Sequence, residues 1–333
     1  MKNKGNPPPR GRLAPSPTGF LHLGNAWSFL LAWLGTRSAG GELIFRIEDV
    51  DLQRYKAEYA AALAGDLLWL GLDWDYGPGR ASLPVPLTQS LRLERYAAGL
   101  EFLENLGLLY PCFCKRRELR SLAGAPQAGD SLRPYPGRCR AFSPEERSAR
   151  QARGENYALR LRFEERCSPY LRVNDLCLGS QLLTPDEAGG DFALRRSDGV
   201  FAYQLAVVMD DLDMGVNQVV RGRDILPSTP GQMFLFDCFG AAPPRYAHIP
   251  LLRDHEGARL AKRHASLSLR SLRAAGVRAE NIAGFLAWWG GLRNSFHPAS
   301  PGELLQDFAF SRVKTRMEPL PENMAEVLLR GRI

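Results

Sequence analysis

Lysine is scarce in this chain. Only six of its 43 basic residues are lysines (Lys2, Lys4, Lys56, Lys115, Lys262 and Lys314). Positive charge is otherwise supplied by arginine, so a lysine inside a motif stands out. Cysteine is equally sparse. Six in 333 residues lies far below the density of a disulfide scaffold and suits a reducing compartment. Long apolar runs are missing too. The longest, around residues 26–34, has about half the ~20 residues that cross a bilayer. The N-terminal MKNKGNPPPRGR carries charge and proline but no apolar segment of a secretion signal. There is no internal repeat, and low complexity is confined to the proline triplet at 7–9. These absences exclude a disulfide-stapled module, a membrane-spanning protein and a solenoid. The chain reads as a soluble, cytoplasmic monomer.

What is present is ordinary in amount and informative in order. Hydrophobic residues at 45% and charged residues at 24% fit a globular protein and argue against disorder, collagen and coiled coil. The net charge of +7 suits a phosphate-rich partner such as a nucleic acid. A strand at 42–47 (ELIFRI) and a helix over about 56–70 follow an early apolar helix. The alternation favours an α/β fold with a parallel sheet. A second helix is expected over 87–106. The texture then changes at Tyr110 into a cysteine pair and a stretch rich in glycine, proline and arginine, as in an inserted subdomain. ALRLRF (158–163) alternates as a strand, FAYQLAVVMDD (201–211) is a buried strand or a buried helix, and helical patterns dominate from about 266 onward.

Two constellations carry chemistry. In the first, PSPTGFLHLGN (15–25) leads into a helix, and glycine at Gly24 lets a flat ligand approach the backbone. The helix N-terminus offers free N–H groups and a positive dipole to phosphate, with His22 and Asn25 as further donors. Taken alone, the same residues are also what a capping asparagine beside an incidental histidine would look like. In the second, Cys112, Cys114 and Cys139 can complete a closed tetrahedral zinc site with one further oxygen or nitrogen ligand. The alternative is a set of buried free thiols, the simplest reading of Cys167, Cys177 and Cys238.

RLAPSPTGFLHLGN (12–25) followed by FRIEDVDLQR (45–54) resembles the signature of the glutamyl and glutaminyl branch of the class I aminoacyl-tRNA synthetases. FALRRSDGVFAYQLAVVMDD (192–211) and GVNQVVRGRDILPSTPGQ (215–232) resemble the second half of that family. The likeness covers residues 12 to about 292. It implies a Rossmann-like parallel catalytic sheet with an inserted zinc-binding subdomain and a C-terminal helical region like a tRNA stem-contact domain. The expected segments are 1–110 and 191–255 for the two catalytic halves, 111–190 for the insertion and 256–333 for the helical region.

The resemblance also implies site residues. The glutamate pocket falls on Arg12, Leu13, Ala14, Pro15, Ser16, Glu48, Tyr203 and Arg221. Chemically this is sound, because an arginine fork suits a carboxylate bidentately while Glu48 and the Tyr203 hydroxyl can hold an α-ammonium. ATP falls to His22, Gly24, Asn25 and Lys262. Lys262 occupies the second lysine of the family's KMSKS loop in GARLAKR (257–263), where Arg259 replaces the first lysine and Ala261 the serine. A mobile ammonium there can follow charge migrating onto pyrophosphate. His22, Asn25 and Lys262 form the catalytic set, with Mg²⁺ accompanying ATP.

Within the family, YPGRC (135–139) resembles the zinc-binding insertion of the truncated glutamyl-queuosine branch, which implies Tyr135 as the fourth ligand beside Cys112, Cys114 and Cys139. Only about seventy residues follow Lys262, which also suits that branch, since an anticodon-reading domain would need more. The expected activity is activation of L-glutamate by ATP without tRNA, followed by transfer to queuosine in the anticodon of tRNA(Asp). Arg116, Arg117 and Arg138 are candidate contacts to the anticodon stem-loop. A synthetase charging a tRNA 3′ end, a small-molecule nucleotidylyltransferase and a non-catalytic zinc-bearing RNA-binding module are the alternatives.

Overall fold

Strand β1 (Arg10–Leu13) alternates between the two sides of its sheet, so that Leu13 enters the core while Arg12 faces the other way. The computed structural model describes residues 7–115, 118, 135–260 and 267–332. After a proline-rich loop, helix α1 (Leu23–Arg37) starts at His22 with a reciprocal cap. His22 Nδ1 accepts the Gly24 amide at 3.0 Å, and Asn25 Oδ1 accepts the His22 amide at 3.0 Å. The helix is apolar on nearly every side, with Trp27, Leu30, Leu31 and Leu34 buried. It therefore lies inside the molecule, packed on β1 and on the second half of the sheet.

Strand β2 (Glu42–Phe45) returns parallel to β1, pairing Arg12 with Ile44. Helix α2 (Ala57–Trp69) follows as expected. The next helix, α3 (Leu93–Asn105), starts later than the periodicity suggested. Residues 87–89 are drawn instead into extended pairing: the Ile47 amide donates to Leu87 at 2.9 Å, and the Gln89 amide to Ile47 at 3.0 Å.

A separate three-stranded antiparallel sheet consists of β3 (Leu109–Cys112), β4 (Ala158–Leu161) and a later strand, β7 (Ala193–Arg195). Helix α4 (Pro144–Ala152) stands before β4, opened by a Ser143–Glu146 capping box with proline in the first turn. The hairpin of β5 (Leu171–Asp175) and β6 (Gly179–Leu183) has no counterpart in the sequence reading, because only Val173 and Asp175 of its residues are buried and they leave little apolar pattern.

The segment at 201–211 proves to be helical: α5 spans Tyr203–Asp213. It leads to β8 (Gln218–Gly222), α6 (Thr229–Cys238) and β9 (Arg245–Ile249). Strands β8 and β9 run parallel, and β5 joins β9 at Asp175. Strand β1 lies beside β8, tied by the Asn217 amide to the Arg10 carbonyl at 3.1 Å. Helices α7 (Leu269–Ala274), α8 (Ala279–Trp289) and α9 (Met324–Arg330) close the C-terminal end. Among the described residues no helix is long and apolar enough to cross a membrane.

A charge network ties β2 to α5. Arg46 is fully buried; it donates to Asp211 at 2.7 Å and Glu48 at 2.9 Å, and lies 3.8 Å from Asp210. Asp210 also accepts from Arg92, Gln89 and Tyr96. A guanidinium in so dry a place is tolerable only with this compensation. Arg46→Ala removes the principal partner of Glu48 and Asp211. It should lower the unfolding free energy by about 3–5 kcal/mol, the cost of leaving buried charge uncompensated. Urea denaturation measures this, and an unchanged midpoint would contradict the account.

Candidate active site and metal centre

The carboxyl ends of β1 and β8 open onto a cleft of about 500 Å³ beside the N-terminus of α1. Such a position between parallel strands and a helix start is where α/β sheets usually bind ligands. Arg12, Ala14, Pro15, Ser16, His22, Gly24, Asn25, Glu48, Tyr203 and Arg221 all line it. Four separate chain segments thus bring the sequence candidates to one place. Leu13 is the exception: its side chain is fully buried in the core and is not part of the lining. Strand alternation makes this unavoidable once Arg12 and Ala14 face the cleft.

Both guanidinium groups border the cleft although they are nine-tenths buried or more, Arg12 at 6% exposed and Arg221 at 5%. They are compensated differently. Arg12 lies 3.5 Å from Asp211 and donates to the Val220 carbonyl at 3.4 Å, while its buried Nε has no hydrogen-bond partner. Arg221 donates to His248 Nε2 at 3.0 Å, Gln232 Oε1 at 2.6 Å and Thr229 Oγ1 at 2.7 Å. All three partners are uncharged as acceptors. Among the described residues no carboxylate lies within 4.0 Å of Arg221. Its ring-facing side stacks over Tyr246 at 4.8 Å.

Opposite charge is supplied by Glu48. Burial raises its carboxyl above the usual value, and Arg46 and then Arg12 oppose that rise. Burial also pushes the Tyr203 hydroxyl up, with the nearby Glu48 adding to the effect. The cleft therefore presents cationic groups and an acidic group to one ligand, an arrangement that fits a zwitterion.

At the other end, His22 Nδ1 and Asn25 Oδ1 cap α1 while both residues line the cleft. Gly24 is needed for the same local reason. A Cβ there would stand 2.9 Å from the His22 ring. Lys262 and Ala261 lie outside the described residues, as do Arg116 and Arg117. The residues flanking that loop are at the cleft: Arg259 and Leu260 line it, and Ser268 bridges to His22. Arg259 pairs with Asp224 at 2.7 Å. Asp224, Thr229, Gln232 and His248 were not singled out from the sequence. Asp224, Thr229 and Gln232 sit in the quoted GRDILPSTPGQ stretch, where spacing alone does not show which side chains turn inward.

The cysteine cluster lies at the end of β3. The thiols of Cys112, Cys114 and Cys139 are within 4.8 Å of one another, with Cys114 and Cys139 at 3.5 Å. The Tyr135 oxygen stands 3.4 Å from Cys112 and 3.8 Å from Cys114. A tetrahedral ion with metal–sulfur bonds of about 2.3 Å needs ligand separations of about 3.8 Å. The set therefore fits a single metal ion. Hydrogen bonding from Cys139, aided by Arg160, holds the Cys112 thiol below its usual pKa against the opposing effect of burial. Arg138 is exposed nearby.

Comparison with known proteins agrees with this geometry. Residues 10–307 match the family described as tRNA synthetases class I (E and Q), catalytic domain. A glutamyl-Q tRNA(Asp) synthetase of Nitratidesulfovibrio vulgaris is 50% identical over 322 residues, 97% of this chain and 98% of the relative. One of Symbiobacterium thermophilum is 45% identical, over 96% and 98% of the two chains. A glutamate tRNA ligase of Elizabethkingia meningosepticum, solved in complex with its amino acid, superposes with a TM-score of 0.79. It is 25% identical and is matched over 97% of this chain and 69% of its own. The fold, the cleft and these likenesses together mean that the chain belongs to the class I glutamyl and glutaminyl tRNA synthetase family, on its glutamyl-Q tRNA(Asp) side.

Proposed function

We propose that the cleft activates L-glutamate with ATP, without tRNA, and that the glutamyl group is then passed to queuosine in the anticodon of tRNA(Asp). The observation that carries this reading is Arg221, a buried guanidinium with no carboxylate partner among the described residues, facing the same cleft as Arg12. A cation left so exposed electrically calls for an anionic ligand. The relatives at 50% and 45% identity that are named glutamyl-Q tRNA(Asp) synthetases support the choice of acceptor over a tRNA 3′ end.

In this reading Arg12 and Arg221 take the side-chain carboxylate of glutamate, with Ala14, Pro15 and Ser16 forming the wall. Glu48 and Tyr203 take the α-ammonium. The α-carboxylate is thereby aimed at the α-phosphorus of ATP, whose phosphates lie against the N-terminus of α1 and near Asn25 and His22. Attack in line forms glutamyl-adenylate and releases pyrophosphate, with Lys262 following the developing charge. Mg²⁺ bound with ATP would neutralise further phosphate charge. A ring hydroxyl of queuosine then attacks the acyl carbonyl, giving the ester and AMP. No protein nucleophile is involved. The work belongs to the cytoplasm, where tRNA is found.

We assign zinc to Cys112, Cys114, Cys139 and Tyr135. When bound it would cross-link β3 to the segment before α4, a structural role that the closed thiol set supports.

Two measurements test this. In ATP–pyrophosphate exchange without tRNA, the protein should be active only with glutamate, and Arg221→Ala should raise the KM for glutamate roughly 30-fold or more while ATP binding persists. Unchanged glutamate KM would contradict the pocket. Metal analysis should find about one zinc per chain, and Cys139→Ser should lose most of it and become more protease-sensitive in the insertion. A zinc content near zero in both proteins would contradict the metal assignment.

A further inference from the structure

Arg221 keeps its charge available because of what lies behind it. Its Nε–H points at the Nε2 of His248, a histidine with no exposed surface. On the far side of the ring, His248 Nδ1 lies 2.6 Å from Asp175 Oδ2. A carboxylate can only accept, so the proton of this bond sits on Nδ1. Nε2 is then left as a lone pair, which is what the Arg221 Nε–H requires. A proton on Nε2 would set two donors against each other at 3.0 Å.

Asp175 is itself held. Its Oδ1 accepts the amides of Cys177 and Leu178 at 2.9 Å each, and its Oδ2 accepts the His248 amide at 3.0 Å. Strand pairing of Asp175 with Tyr246, two residues before His248, fixes the distance between the elements. Thr229 and Gln232 of α6 hold the other end of the guanidinium.

We propose that Asp175 and His248 are positioning residues for glutamate selection: the carboxylate locks the imidazole as the Nδ1–H tautomer, and the neutral ring aims Arg221 without neutralising it. Had Asp175 touched Arg221 directly, the guanidinium would be an internal ion pair with little preference for an anionic side chain over glutamine's amide. The interposed ring separates orientation from compensation. Burial, which lowers the His248 pKa to about 4 against the opposing pull of Asp175, agrees with an uncharged ring at neutral pH. The inference rests on the reading that Arg221 meets the substrate carboxylate.

Ring nitrogens and substitutions test it separately. In the full-length protein labelled with ¹⁵N-histidine, the His248 resonances, identified by their loss in His248→Gln, should report a neutral Nδ1–H ring at pH 7. An Nε2–H tautomer or an imidazolium would overturn the proposal without any variant having to fold well. In tRNA-free exchange, His248→Ala and Asp175→Asn should raise the KM for glutamate about 10- to 100-fold with little change in the KM for ATP, and should narrow the preference for glutamate over glutamine. His248→Gln, whose amide oxygen reaches the Nε2 position, should restore most of the loss. A merely structural histidine would not distinguish alanine from glutamine in this way. If Arg221→Ala loses glutamate dependence while His248→Ala and Asp175→Asn keep the wild-type KM, the relay is wrong and the site stands. If the wild-type protein shows no glutamate-dependent exchange, or Arg221→Ala is unchanged, the reading of the site fails instead.

Discussion

Burying a guanidinium costs several kcal/mol unless something compensates it, and this protein meets that constraint in two opposite ways within one sheet. Arg46 is surrounded by Glu48, Asp210 and Asp211 and serves to join β2 to α5. Among the described residues Arg221 has only uncharged acceptors. The first arrangement is complete and can be left dry. The second leaves the guanidinium charge open to an anion in the cleft, and the proposed specificity rests on that difference. Arg12 stands between the two, sharing Asp211 with Arg46 and leaving its Nε without a hydrogen bond.

The same network connects fold to chemistry. Asp211 belongs to α5, whose first residue, Tyr203, lines the cleft. Glu48 follows β2 and receives its orientation from Arg46. Glu48 and Arg12 are therefore set by a buried ion network, and Arg221 by the β8–β9 pair and α6. Bringing β1 against β8 closes the two halves around the cleft, with α1 supplying its N-terminus between them.

Much of this was legible in the linear chain. HLGN, FRIED and the C-x-C with its distant YPGRC are local patterns: His22, Gly24, Asn25 and Glu48 line one cleft, and the three cysteines gather in one cluster. Helix α5 was ambiguous because a run of apolar residues buried on all sides shows no period. The start of α3 was misjudged because residues 87–89 pair with Ile47, a tertiary contact that propensity does not encode. Leu13 was carried into the pocket by adjacency in the motif, although strand alternation turns it to the core. Asp175, His248, Thr229 and Gln232 were invisible for a different reason. They come from β5, β9 and α6, and only the pairing of those elements makes them a group. Lys262 lies outside the described residues.

The central claim is that one acidic side chain is grasped by two arginines from distant strands. A crystal structure of the protein with L-glutamate tests it most directly. The account predicts the side-chain carboxylate oxygens within about 3.2 Å of guanidinium nitrogens of both Arg12 and Arg221, with the α-ammonium turned to Glu48. Glutamate bound the other way round, or outside the cleft with Arg221 still contacting only His248, Thr229 and Gln232, would contradict it.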